Sequence, residues 1–488
     1  MTAEGPGPDA DRPAVPTDET GTLRFVARAL VRAATMLMIF KAFVADASVV
    51  CTRSMEPTIV GRDKGGDVVL VDKAIYRVSA PGRYDVVFFR YANNREVTYL
   101  KRVVGLPGEH IALLGGDLWI LDPGDDSPVE AAALAGRAHR IFRPAVLERR
   151  DFALRPVVLP GEEGLFGRLA FDRLFECAPL VRARFAEAPG GGMICTPEAD
   201  EEVLATFARS VTDYLPDAVD LRAGSLAPKA GTGGRIVVGD VAFGFEIRLE
   251  ETGTAVLELD DPRSGVRHFA RFDRSGGGLV RLDGPDDGVT AEGAAPELVR
   301  DGFTAVRFER IDGRLRAFVD GRLVVSADTP YRAGRADARG LVAFGAAKGG
   351  ATFRKPRLER DLHYLEDGQI RWNVPPDAYL CLGDHPADSS DARHWRVAVI
   401  EDLRSGLILE GDADGMRSGS LQNGGRNPYR TEDGVDVFVD RFDRPRRFAS
   451  EDEWRRLGEY RTPYVLRSAI FGKAACVVWP PVRAGVVR

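Results

Sequence analysis

Tyr99-Leu100-Lys101-Arg102-Val103-Val104-Gly105-Leu106-Pro107-Gly108-Glu109 sets a lysine inside an apolar run of strand character that stops at a Pro-Gly turn. An ammonium among Leu100, Val103 and Val104 is costly to keep charged, and desolvation lowers the pKa of a buried amine. Upstream, Gly66-Asp67-Val68-Val69-Leu70-Val71 and Tyr84-Asp85-Val86-Val87-Phe88-Phe89 read as two further strands. Before them stands Cys51-Thr52-Arg53-Ser54-Met55-Glu56-Pro57-Thr58, which offers a serine hydroxyl. A neutral lysine amine can take the proton of a serine hydroxyl, the requirement of a Ser/Lys dyad in which one base replaces a His and an Asp. Taken one at a time, the bland alternatives are the commoner ones: Lys101 snorkels from an edge strand and Ser54 is a turn residue.

Order and spacing change that balance. The segments resemble the boxes of type I signal peptidases, the bacterial Ser/Lys leader peptidases. The family's S-M-x-P-T is similar to Ser54-Met55-Glu56-Pro57-Thr58, and its K-R-x-V-G-L-P-G-[DE] box to Lys101–Glu109. A third box resembles Gly383-Asp384-His385-Pro386-Ala387-Asp388-Ser389-Ser390-Asp391-Ala392-Arg393, and Ser468-Ala469-Ile470-Phe471-Gly472-Lys473-Ala474 resembles the last core strand. The resemblance implies Ser54 as nucleophile and Lys101 as general base. It implies Thr52 and the Ser54 N–H as oxyanion donors, Ser389 as a hydrogen-bond partner of the lysine, and Asp391 with Arg393 as a supporting ion pair. Its substrates are preproteins whose signal peptides end in small residues, and it needs no cofactor and no metal. Three positions depart from the pattern. Arg53 stands where glycine is usual, His385 replaces Asn, and Ala392 replaces the second Ser of the third box. Arginine restricts the backbone at position 53 and brings a bulky charge beside the nucleophile.

Leu23–Val50 is the most hydrophobic stretch, but Arg24, Arg28, Arg32, Lys41 and Asp46 interrupt it. Between Arg32 and Lys41 only eight residues are uncharged, against about 20 for a bilayer span. The arginines recur every four residues on one helix face, obeying the positive-inside rule, and the family carries charges where Lys41 and Asp46 stand. We therefore expect a membrane-anchor helix over 22–47, spanning or interfacial, with the lipid bilayer as partner. The expected location is the cytoplasmic membrane, with the catalytic part on its outer face. A buried amphipathic helix of a soluble protein is the alternative. Residues 1–21, rich in Pro, Gly, Asp and Glu, read as a flexible tail.

Roughly 280 residues separate the lysine box from the third box. Val241, Phe243, Phe245, Ile247 and Leu249 alternate strictly, and Asp312-Gly313 and Asp320-Gly321 fall between apolar runs as hairpin turns. Together they predict an inserted β-sandwich over 236–366, resembling a concanavalin-like jelly roll of the laminin-G type. That resemblance implies a glycan or a protein as candidate ligand, and a structural spacer is the competing role. Residues 125–235 read as a mixed segment with short helices around Val129–Phe142, Leu165–Phe185 and Val203–Tyr214, broken by clusters such as Ala188-Pro189-Gly190-Gly191-Gly192. The layout is similar to signal peptidases of planctomycete-type bacteria. The expected fold class is thus mainly β: a catalytic domain split into 48–124 and 367–488, an N-terminal anchor helix, and the inserted jelly roll.

Composition excludes other classes. With 488 residues, 44% hydrophobic, 29% charged and a net charge of -6, the chain is globular, of several domains, and lacks the basic field that nucleic acid requires. Its five cysteines form no CxxC pair and no zinc-ligand spacing. Two rival functions remain at this level: a degenerate envelope binding or scaffold protein working through its sandwich, and a Ser/Lys peptidase with one dedicated substrate.

Overall fold

A computed structural model describes residues 19–56, 58–62, 66–128, 131–132, 138–140, 148–151, 175–189, 191–198, 201–207, 211, 237–261, 265–283, 289–311, 313–329, 341–417, 420–421 and 426–487. The chain is mainly β. The lysine box lies in one antiparallel sheet whose strands run Ala45–Val49, Val68–Asp72, Ile470–Trp479, Val86–Arg90, Thr98–Gly105, Ala378–Leu382 and Tyr464–Leu466 in spatial order, and the serine box lies between the first two of these strands in sequence. The lysine strand, Thr98–Gly105, is central: Lys101 faces Val87 on one side, and Arg102 faces Leu382 on the other. Its two flanks come from chain segments far apart in sequence. Smaller sheets complete this half, among them Arg371–Asn373, His110–Leu114, Asp117–Leu121 and Ala138–Arg140 in one, and Leu407–Asp412, Arg396–Asp402 and Trp454–Arg461 in another.

Between the lysine strand and its neighbour Ala378–Leu382 the chain builds a two-sheet sandwich. One sheet centres on Val241–Leu249, flanked by Ala351–Arg360 and Thr304–Ile311; the other centres on Thr254–Asp260, flanked by Arg267–Asp273 and Val342–Lys348. The alternation read from sequence is the inner face: Val241, Phe243, Phe245, Ile247 and Leu249 are all buried in one core. Phe344 stands at its centre, 4.5 Å from Phe245 and 4.9 Å from Phe353 between ring centroids. The second Asp-Gly turn has positive φ at both Asp320 (49°) and Gly321 (76°), as a two-residue hairpin demands, and joins Arg314–Val319 to Arg322–Asp328. Asp312, of the first turn, lies outside the described residues.

The segment ahead of residue 236 differs from expectation. Where a helix was predicted from Val203, Val203–Phe207 is a strand paired with Val342–Lys348. Phe185–Glu187 and Met193–Cys195 extend the first sheet, Phe175–Glu176 edges the second, and Pro179–Ala183 forms a short helix there. Val203, Ala205 and Phe207 alternate inward, the period of a strand rather than of a helix, while the flanking strands of two or three residues are too short to show one. Within Val129–Phe142, Ala131 and Ala132 are helical, and Ala138–Arg140 is a strand. Residues 1–18 of the predicted tail, most of 141–174 and all of 212–236 lie outside the described residues.

The N-terminal helix runs Glu19–Phe43. The expected membrane span is corrected here: among the described residues no helix is long and apolar enough to cross a membrane. The charges at Arg28, Arg32 and Lys41 are the physical reason. Leu30, Val31, Met36, Met38 and Phe40 are nevertheless exposed along it. Its end is tied to the sheet by ions: Lys41 pairs with Asp46 (3.4 Å), and Asp46 with Lys73 (3.0 Å). That bond to Lys73 is the main reason the Asp46 carboxyl lies below its ordinary range.

Candidate active site

Ser54 sits on a single 3-10 turn, Arg53–Met55, directly after the strand that follows the helix. Met55 and Ile59 bury this turn against the sheet, and Ser54 O accepts the backbone N–H of His385 at 3.1 Å. Gly383 makes that approach feasible, because a Cβ there would lie 2.6 Å from Ser54 O and 2.1 Å from Ser389 Oγ. The turn thereby delivers Ser54 Oγ to Lys101 Nζ at 2.6 Å, with Ser54 8% and Lys101 1% exposed.

Burial brings the amine's pKa toward neutrality. Burial pushes Lys101 down to about 8, Asp391 opposes that shift, Arg393 adds to it, and Asp384 and Asp388 oppose it again. Its ammonium form is therefore a minor species above that pH. Asp391 and Arg393 form the expected ion pair, both fully buried, with bonds of 2.9 Å (Nε–Oδ1) and 3.0 Å to the second carboxylate oxygen. Burial works against the Asp391 carboxylate, but Arg393, with Lys101 and the Gly383 N–H, holds it below the usual range.

Above the pair opens a cleft of about 750 Å³, lined by Thr52, Arg53, Ser54, Lys101, Ser389 and Arg393 among others. Thr52 is exposed on its rim, in extended backbone. Ser389 is close by but does not make the bond expected of it: its Oγ lies against Gly383 and has no hydrogen-bond partner among the described residues. Ser54 is the hydrogen-bond partner of the lysine amine instead. Arg53 causes no backbone conflict, since it lies within the 3-10 turn rather than at positive φ, and its Nε is bound to Glu56 at 3.2 Å. His385 substitutes for Asn without loss of the backbone bond to Ser54, because that bond uses the main chain.

The sequence reading missed a second buried ion pair. Arg102 Nε donates to Asp384 Oδ1 at 2.7 Å, its Nη2 reaches Asp384 Oδ2, and Thr58 Oγ1 donates to the same carboxylate at 2.5 Å. Both ions are fully buried. This clamp ties the serine, lysine and third boxes together through residues 282 apart in sequence. Among the described residues no group of His, Cys, Asp and Glu side chains is arranged to hold a metal ion.

Fold and site together define a mainly β protein with a serine hydroxyl and a buried lysine amine, its pKa lowered by burial, in contact in a cleft. Residues 23–156 match the family model described as signal peptidase, peptidase S26, which relates the chain to the type I signal peptidases. Signal peptidase I of Bacillus caldolyticus is 36% identical over 86 residues, covering 18% of this chain and 44% of that relative. Signal peptidase I of Aquifex aeolicus is 31% identical over 75 residues, covering 15% of this chain and 28% of its own length. The chain thus spans less than half of these relatives. Among solved structures, a carbohydrate-binding module, CBM66, of Bacillus subtilis has 15% identity and a TM-score of 0.25 over 36% of this chain and 90% of its own. Galectin LEC-6 of Caenorhabditis elegans has 11% identity and a TM-score of 0.20 over 25% and 84%. Likenesses this low add nothing to the two-sheet description.

Proposed function

We propose that the chain is a serine endopeptidase of the signal peptidase I kind, cleaving signal peptides from preproteins with Ser54 as nucleophile and Lys101 as general base. The 2.6 Å contact between Ser54 Oγ and the buried Lys101 Nζ carries this reading. Ser54 Oγ attacks the scissile carbonyl while its proton passes to Lys101; Lys101 then returns a proton to the leaving amine, and finally activates the water that hydrolyses the acyl-enzyme. The Ser54 N–H and Thr52 at the rim are the proposed oxyanion donors, and the substrate lies along the cleft as an added extended strand. Asp391, Arg393 and Ser389 act as supporting groups. The family match and the four boxes support the substrate class.

The N-terminal helix is proposed to lie at the membrane surface, with Arg28 and Arg32, one turn apart on one face, toward lipid headgroups. Cleavage of preproteins ending in Ala-x-Ala by wild type, Ser54→Ala and Lys101→Ala tests the reaction. Cleavage by wild type after the second Ala, lost in both variants, is expected; equal products from all three would sink the proposal.

A further inference from the structure

The segment through which the chain returns from the sandwich ends at the cleft. Asp361 N donates to Asp240 O (2.8 Å) at the sandwich edge, and Tyr364 N donates to Gly116 O (3.0 Å), with Tyr364 packed in the peptidase-type core. Six residues past Asp361, Asp367 and Gly368 line the cleft beside Ser54 and Lys101. Arg393 also binds this segment, although Asp367 is 46% exposed where Asp391 is fully buried. Its Nη1 donates to Asp367 Oδ1 at 3.0 Å and to Leu365 O at 3.2 Å, and its carbonyl accepts Gln369 N at 2.9 Å. Asp367 also lies 3.3 Å from His394 Nε2. One guanidinium is therefore shared between a carboxylate next to the lysine and a carboxylate that the return segment supplies.

We infer that Asp367 is a positioning residue for the Ser54–Lys101 pair: it holds Arg393 from the side opposite Asp391 and so sets the electrostatic field at Lys101 Nζ. This rests on the proposed role of Lys101 as base. Asp391, Asp384, Asp388 and Arg393 face that amine, together with the Tyr99 ring at 5.3 Å and the neutral Cys381 thiol. Asp391, Arg393 and Asp367 carry a net charge of -1; without Asp367 they carry none. Removing it makes the surroundings less negative, so the ammonium is less favoured and the Lys101 midpoint falls.

The test is a 13C titration of lysine-labelled full-length protein in detergent, with the Lys101 resonance identified by its loss in Lys101→Arg. In Asp367→Asn the midpoint should drop by about half a unit, while Asp367→Glu restores the wild-type value and His394→Ala leaves it unmoved. The acid limb of peptide cleavage should shift in parallel. An Asp367→Asn variant that melts earlier but titrates like wild type would reduce Asp367 to a structural tie and overturn the inference, as would a shift in His394→Ala equal to that in Asp367→Asn. A wild-type midpoint near that of an ordinary lysine counts instead against Lys101 as base. The difference between the variants is read without any cleavage.

Discussion

Beneath the cleft, the peptidase-type sheet buries two complete Arg–Asp pairs and a lysine, all within the reach of one serine. The core of the sandwich is built mainly of phenylalanines, valines, leucines and alanines, and its buried ions, among them Arg310 with Asp261 (3.0 Å) and Glu309 with Arg316 (2.6 Å), are dispersed over several strands. Both regions have apolar cores and both bury charges; in the first the charges gather around Lys101, in the second they are spread along the sandwich. A buried ion pair contributes little net stability over a well-packed apolar replacement, so charges concentrated in one core mark where the chain retains costly groups for another reason.

That contrast can be broken first at the dyad. Ser54→Ala or Lys101→Ala should reduce turnover of a cleavable preprotein by about a thousandfold or more, with unfolding curves close to wild type, which stopped-assay kinetics beside urea melts will show. Next come the supporting ions. Arg393→Met strands Asp391 in the interior and should cost about 3–5 kcal/mol in urea unfolding. Phe344→Ala should cost a similar amount through its cavity, yet leave cleavage per folded molecule unchanged. Should it reduce turnover as Arg393→Met does, the separation between the two regions fails.

Lys101 gives a prediction of intermediate size with a sign. Its folded midpoint, about 8, lies below the ordinary 10.5, so between those values the unfolded chain binds a proton that the folded chain does not. Stability from this group therefore rises with pH across that window, and the full penalty, about 3 kcal/mol, applies below it. Lys101→Met should abolish that slope and stabilise the protein by about 1–3 kcal/mol at pH 7 while removing activity, measured by denaturant melts at several pH values. Least affected should be an exposed pair such as Arg314–Asp328 on the sandwich, where Arg314→Ala should cost under about 1 kcal/mol.

The same contrast decides what could be read in advance. Val241–Leu249 declared itself because five inward residues alternate over nine positions, and the Asp320-Gly321 turn because its backbone demands that chemistry. The strands between 175 and 207 stayed hidden because most are two or three residues long, although Val203, Ala205 and Phe207 do alternate. In the site, Ser54, Lys101, Asp391 and Arg393 were legible through the resemblance of their boxes. The Arg102–Asp384 clamp and Asp367 were not, because their partners lie 282 and 26 residues away and no local pattern announces a contact made only after folding. Of the two expectations for the N-terminal helix, spanning or interfacial, the spanning one falls because the apolar length between its basic residues is too short.

The position of the lysine strand has a kinetic consequence. Its pairing with Ala378–Leu382 closes a loop that contains the whole sandwich, and Arg371 pins the two ends of that loop together by donating to the Asp125 and Ser127 carbonyls at 2.9 and 2.7 Å. Drawing such distant strands together is entropically expensive while the intervening chain is unfolded and cheaper once it has collapsed into a compact body. The sandwich is then an internal template: assembly of the serine, the lysine and their ion pairs waits on a domain that contributes neither of the two reacting atoms.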